Sequence, residues 1–233
     1  MASTPPTNEA FLREVDEELR RDELKSLWQR FGWWAVAGLI LILAAWGGWL
    51  YWQDRQAKAA GREGEQLSQA LEELQAGNPA AAETKLEALV ASKQAGYRAS
   101  AKMTQAGLAM EKGDLAGAAR LFGEVAADTG IAQPWRDLAL VRQTAAEFDT
   151  MKPEAVVARL KPLAAKGSPW FGSAGELVAA AYLKMGKPEL AGKIFADIGK
   201  DESVPETIRS RAVQMAGSLG VGSVNPSAKE VTQ

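Results

Sequence analysis

The chain contains no cysteine and no histidine among its 233 residues. Their absence removes disulfides, thiolate nucleophiles, imidazole bases and the usual transition-metal ligands together. It leaves the compartment open, since an exported protein can lack disulfides. No GxSxG, SxxK or phosphate-cradling glycine loop is present either, so the sequence points to a non-enzymatic protein with no cofactor. A charge of one sign is missing as well. The formal net charge is −2, and residues 53–233 hold 22 Lys and Arg against 22 Asp and Glu. Nucleic acid would call for a basic face, and this balance does not supply one. β-branched residues are sparse and scattered while alanine abounds, which favours helices over strands.

One segment has no charge at all. Residues 31–52, FGWWAVAGLILILAAWGGWLYW, would span about 33 Å as a helix at 1.5 Å per residue, against a hydrocarbon core of about 30 Å. Trp33 and Trp34 lie at one end, Trp49, Tyr51 and Trp52 at the other, with Arg30 and Arg55 just beyond. Amphipathic rings favour the headgroup zone and charges stop there. A charged segment precedes the run and no A-x-A site follows it, so an uncleaved signal anchor is expected. Ala44 and Gly48, four apart, form a small pair that would let a partner helix approach closely.

Residues 1–30 divide into a polar tip and a charged helix, with Phe11, Val15 and Leu19 recurring at helical spacing. Acidic residues outnumber basic ones seven to five there, which disfavours adhesion to anionic lipid. Five Lys or Arg lie within twenty residues before the run and three after it. The positive-inside rule then places the N-terminus in the cytoplasm, although a ten-residue window gives three on each side.

Beyond the run an internal period emerges. GNPAAAETKLEAL from Gly77, GDLAGAARLFGEV from Gly113, MKPEAVVARLKPL from Met151 and GKPELAGKIFADI from Gly186 are offset by 36, 38 and 35 residues. Glycine ends a first helix in the left-handed conformation. Asn78 or Asp114 would cap the next helix, and Pro79, Pro153 and Pro188 suit its first turn. Ala82, Ala118 and Ala191 then allow close helix approach, with Val156 the exception, and Leu86, Phe122, Leu160 and Phe195 fill the core. Such pairs leave apolar surface that only a neighbour covers, so they stack as an α-solenoid. The expected fold is therefore all-α: a lead-in helix (1–30) continuous with one transmembrane helix (31–52), about four helix pairs (53–216) and a disordered tail (217–233).

The pattern A-x6-G-[DNK]-x3-A-x3-[FL], present in three of the four units, resembles the tetratricopeptide repeat. The repeat's aromatic in the first helix is mostly missing, and Met151 and Thr144 depart from the pattern in the third unit. Together with the charged lead-in, the run RFGWW…GGWLYWQ and the helix entering the repeats directly, the layout resembles the YfgM-like family. That resemblance implies a single-pass inner-membrane protein with periplasmic repeats, an ancillary subunit of the Sec translocon beside a membrane-anchored periplasmic prolyl isomerase, assisting exported proteins. An envelope assembly or division adaptor is the alternative.

A stacked solenoid should offer a concave groove lined by the first helix of each pair. Ala70, Ala106 and Ala179 are expected to face the paired helix, leaving Tyr97, Lys102, Gln105, Arg142 and Tyr182 as candidates for the groove. Trp135 and Trp170, at helix starts between units, are expected to lock successive pairs together.

Overall fold

A computed structural model describes residues 7–221, with side chains from Arg30 onward apart from residues 31, 35 and 59. Residues 1–6 of the expected tip (1–8), the side-chain stripe Phe11, Val15 and Leu19, and residues 222–233 of the expected tail (217–233) lie outside this description, while α9 continues to Ser218. The described residues are helical, with no strand among them. The elements are α1 (Thr7–Gln75), α2 (Pro79–Val90), α3 (Ala95–Glu111), α4 (Leu115–Ala127), α5 (Gln133–Ala146), α6 (Pro153–Leu160), α7 (Phe171–Lys184), α8 (Pro188–Lys200) and α9 (Glu206–Ser218). The chain divides into two units, Met1–Gly61 and Arg62–Gln233, and the helix α1 contributes to both.

In the first unit α1 carries the apolar run, and its large side chains stand in solvent: Trp33, Leu41, Ile42, Trp46 and Trp52 are all exposed. A stretch this apolar is long enough to cross a membrane. No proline interrupts it, so every backbone amide can bond within the helix, as a hydrocarbon environment requires.

The second unit is a stack of helix pairs: the end of α1 with α2, α3 with α4, α5 with α6, α7 with α8, and α9 as a closing helix. Consecutive helices pack on each other, and the first helices of successive pairs, α3, α5, α7 and α9, also touch one another. The reason lies in small residues at fixed positions. Ala70, Ala106 and Ala179 are fully buried, as are Ala82, Ala118 and Ala191 in the second helices. Leu86, Phe122, Leu160 and Phe195 fill the seams between them. Burying each such side chain contributes about 1.5–3 kcal/mol.

The turns within pairs explain the period. Gly77, Gly113 and Gly186 adopt φ of +78°, +79° and +67°. Each allows the same closing bond five residues back: Asn78 N–H to Glu73 O, Asp114 N–H to Ala109 O, and Lys187 N–H to Tyr182 O, at 2.8, 2.8 and 2.9 Å. This is the glycine-ended motif that satisfies a helix's last carbonyls. Asp114 then caps α4 by accepting from Gly117 N–H at 2.8 Å. Asn78 does not cap α2; its side-chain amide donates instead to Glu73.

The third pair closes differently. Among the described residues no non-glycine residue has positive φ, so Met151 does not substitute for the turn glycine. Instead the chain leaves α5 through additional turns, with Met151 N–H bonding to Glu147 O at 2.9 Å and the Thr150 hydroxyl donating to the same carbonyl at 3.0 Å. Thr144 occupies the buried position of Ala106 and Ala179, and its hydroxyl donates to Leu140 O at 2.7 Å. The polar atom is therefore satisfied inside its own helix.

Between pairs a second recurrence appears. Ser92, Asp128, Ser168 and Asp201 each accept a hydrogen bond from the backbone N–H two residues on, the local turn that short polar side chains make. Tyr97, Trp135, Trp170 and Ile208 follow near each helix start, and four residues later come the buried Ala101, Ala139, Ala174 and Ala212. At the far end α9 turns Ala212 and Ala216 inward while Glu206, Ser210, Gln214 and Ser218 face solvent.

Candidate partner-binding face

The first helices of successive pairs lie side by side, so residues three and four apart on each combine into one surface. Leu67 and Leu71 from α1, Ser100, Met103 and Thr104 from α3, and Trp135 from α5 line an open, shallow cavity of about 310 Å³. Leu71 is 42% exposed and Trp135 39%. The Thr104 hydroxyl donates to Ser100 O at 2.8 Å, so it is spent within its helix and the lining is effectively apolar. None of these six side chains ionises in the ordinary pH range. Such a surface can accept an aliphatic or aromatic side chain, and the methionine can adjust to its shape. Its lining includes no acid or base that could activate the two hydroxyls.

Around this face the charged groups serve the scaffold. Arg98 donates to Asp128 through Nε at 2.9 Å and to Ser92 O at 2.6 Å, and the Ser92 hydroxyl donates to Glu63 at 2.8 Å. The chain of bonds joins α1, α3 and the loops before α3 and α5. The Arg98 hydrogen bond, aided by Gly130 N–H, holds the Asp128 carboxyl below its usual range. Arg211 grips Glu176 with two bonds of 2.7 and 2.6 Å, tying α9 to α7, and that carboxylate raises the guanidinium's already high value.

The residues singled out from sequence do not gather into one groove. Tyr97 lies against α1, where a Cβ on Gly64 would stand 2.9 Å from its hydroxyl. Lys102 turns to α4 and pairs with Glu124 at 2.8 Å, lowering that carboxyl. Gln105 lines a different, more polar groove between α2 and α4, with Glu83, Lys112 and Arg120. Tyr182 packs where the cores of the third and fourth pairs meet. Arg142 is exposed on α5, and stands seven residues, or two turns, after Trp135 on the same side. By the same spacing Tyr97 stands seven residues before Thr104 on α3, so Arg142 and Tyr97 share helix sides with the apolar cavity, though neither lines it. In the first unit Ala44 and Gly48 are both exposed, and nothing lies within 4 Å of a Cβ built on Gly48.

The two tryptophans behave differently. Trp170 packs against the core of the third pair, as a lock between units should. Trp135 does not; it opens onto the cavity. The signal was available in the recurrence Tyr97, Trp135, Trp170, Ile208, which fixes the ring at a helix start. Which side of the helix faces outward is set by how the pairs stack.

No curated protein and no solved structure matches the chain. The profile of the tetratricopeptide repeat-like domain, a class of protein-binding scaffold, matches residues 25–215 and so covers most of the sequence. On that match, and on the four helix pairs followed by a ninth helix among the described residues, the chain belongs to the tetratricopeptide repeat-like domain family.

Proposed function

We propose that the protein is a single-pass membrane anchor, N-terminus in the cytoplasm, that holds a protein-binding repeat domain outside it, beside the Sec translocon of an inner membrane. The observation that carries the reading is the pairing, in one chain, of an uncharged exposed run long enough to span a bilayer with an apolar face built from three successive repeats. An exposed aromatic beside an aliphatic and a methionine is the kind of surface on which binding energy concentrates. The charge balance before and after the run supports the sidedness. The resemblance to the YfgM-like family supports the translocon, and with it a membrane-anchored prolyl isomerase as neighbour and exported chains as clients.

A photo-crosslinking residue at position 71 or 135 should capture translocon subunits or exported chains, whereas one at Lys161, exposed at the end of α6, should not. A crosslinker at position 48 tests docking within the bilayer. Equal capture from all positions overturns the assignment of the face, and capture of envelope-assembly components in place of translocon subunits overturns the placement. A reporter active only outside the cytoplasm, fused after Gln233, should be active; silence overturns the sidedness.

A further inference from the structure

Just past the aromatic end of the apolar run, α1 is one-sided in charge. Tyr51, Arg55 and Lys58 are spaced four and three apart, so at about 100° per residue they fall within an arc of roughly 60°. Gln53, Gln56 and Ala57, pointing elsewhere around the helix, are uncharged. The guanidinium of Arg55 sits 5.0 Å from the centre of the Tyr51 ring, a placement that orients the cation by the ring's quadrupole. Lys58 pairs with Asp54 at 2.7 Å, and both side chains are largely exposed, at 73% and 54%, so water screens that pair heavily. Trp52, exposed and about 60° around the helix from Arg55, lies where the acyl chains begin.

We propose that Arg55 and Lys58 form a headgroup site for an anionic phospholipid, the phosphate held by the guanidinium and the ammonium and the acyl chain running back beside Tyr51 with Trp52 at its flank. The inference rests on the reading that residues 31–52 cross the bilayer. The occupant follows from complementarity. Two cations, one of them a planar fork suited to phosphate oxygens, stand at headgroup depth on the helix face of Tyr51. The Asp54 carboxylate offsets part of this charge, which leaves about one net cation. A basic residue near an anionic surface is worth about 1 kcal/mol, equivalent to roughly fivefold enrichment of anionic lipid at this face.

The test uses the full chain in vesicles of phosphatidylcholine and phosphatidylglycerol, with one or the other brominated on its acyl chains, and reads quenching of Trp52 as the difference from Trp52→Phe. Brominated phosphatidylglycerol should half-quench at a mole fraction roughly fivefold lower than brominated phosphatidylcholine. Arg55→Gln with Lys58→Gln should equalise the two, and Asp54→Asn should widen the gap. Equal quenching of the unaltered chain overturns the proposal. So does a preference that disappears when inorganic phosphate replaces chloride at constant ionic strength, since the site would then bind free phosphate. Quenching by both lipids that weakens as protein density rises means a second copy covers the face, and overturns it too. If neither lipid quenches Trp52, the membrane-spanning reading itself fails, an outcome separate from the loss of lipid preference.

Discussion

Truncating Phe122 to alanine removes the largest side chain from the seam between α3 and α4. Phe122 is 2% exposed and packs with Ala106, Ala118, Met103 and Met110. Phe→Ala in a core costs about 3–5 kcal/mol through lost burial and the cavity left behind. The two methionines can lean into that cavity, which favours the lower end, about 3–4 kcal/mol. For a domain of this size that corresponds to a fall in Tm of about 6–16 °C. Because each pair is stable only against its neighbours, the loss should spread beyond α4. Thermal unfolding of the full chain in detergent micelles, followed by circular dichroism at 222 nm, reads the effect. Leu115→Ala is the internal control, since Leu115 lies on the same helix but is 45% exposed; its cost should stay within about 0.5 kcal/mol. A Phe122→Ala shift no larger than that of Leu115→Ala would refute the stacking argument.

Three further outcomes follow from the same structure. Asp128 has its pKa lowered by Arg98, so its contribution is complete above the unfolded value near 4 and is lost as the pH falls through the lower folded value. Asp128→Ala should therefore cost about 1–2 kcal/mol at pH 7, discounted for a side chain 28% exposed, and should flatten the acid limb of an unfolding titration. Gly113→Ala forces a Cβ into a left-handed turn and should cost about 1–2 kcal/mol in the same thermal assay, whereas Met151→Gly should gain no comparable turn stability, since Met151 is not left-handed. Trp135→Ala should leave unfolding within about 1 kcal/mol while sharply reducing capture by a crosslinker at position 71; unchanged capture would remove the cavity from the binding face.

Three of the four turns within pairs were readable because a left-handed residue must almost always be glycine, and the glycines stand at the repeat period. The turn after α5 was not, because it converges on Glu147 O through two backbone amides and the Thr150 hydroxyl, with no left-handed glycine to mark it. Small buried positions were equally legible: Ala70, Ala106 and Ala179 have no side chain to place elsewhere. The binding face was less so. Lys102 is as plausible in a groove as on Glu124 when only its own helix is considered, and the choice is made by the carboxylate on α4. Leu67, Leu71 and Met103 read as core because they are apolar at helical spacing, yet an open stack leaves part of that stripe uncovered.

The polar outer surface of α9 has a consequence for how such a protein can change over time. Since α9, the last helix among the described residues, turns Glu206, Ser210, Gln214 and Ser218 outward, and each inner pair meets its neighbours through the same small residues, a pair between α3 and α8 could be duplicated or deleted without remaking α1 or α9. Each insertion would lengthen the row of first helices by about 8–10 Å, the usual spacing between packed helices. Reach along a partner is thus adjustable in whole repeats while α1 and α9 stay as they are.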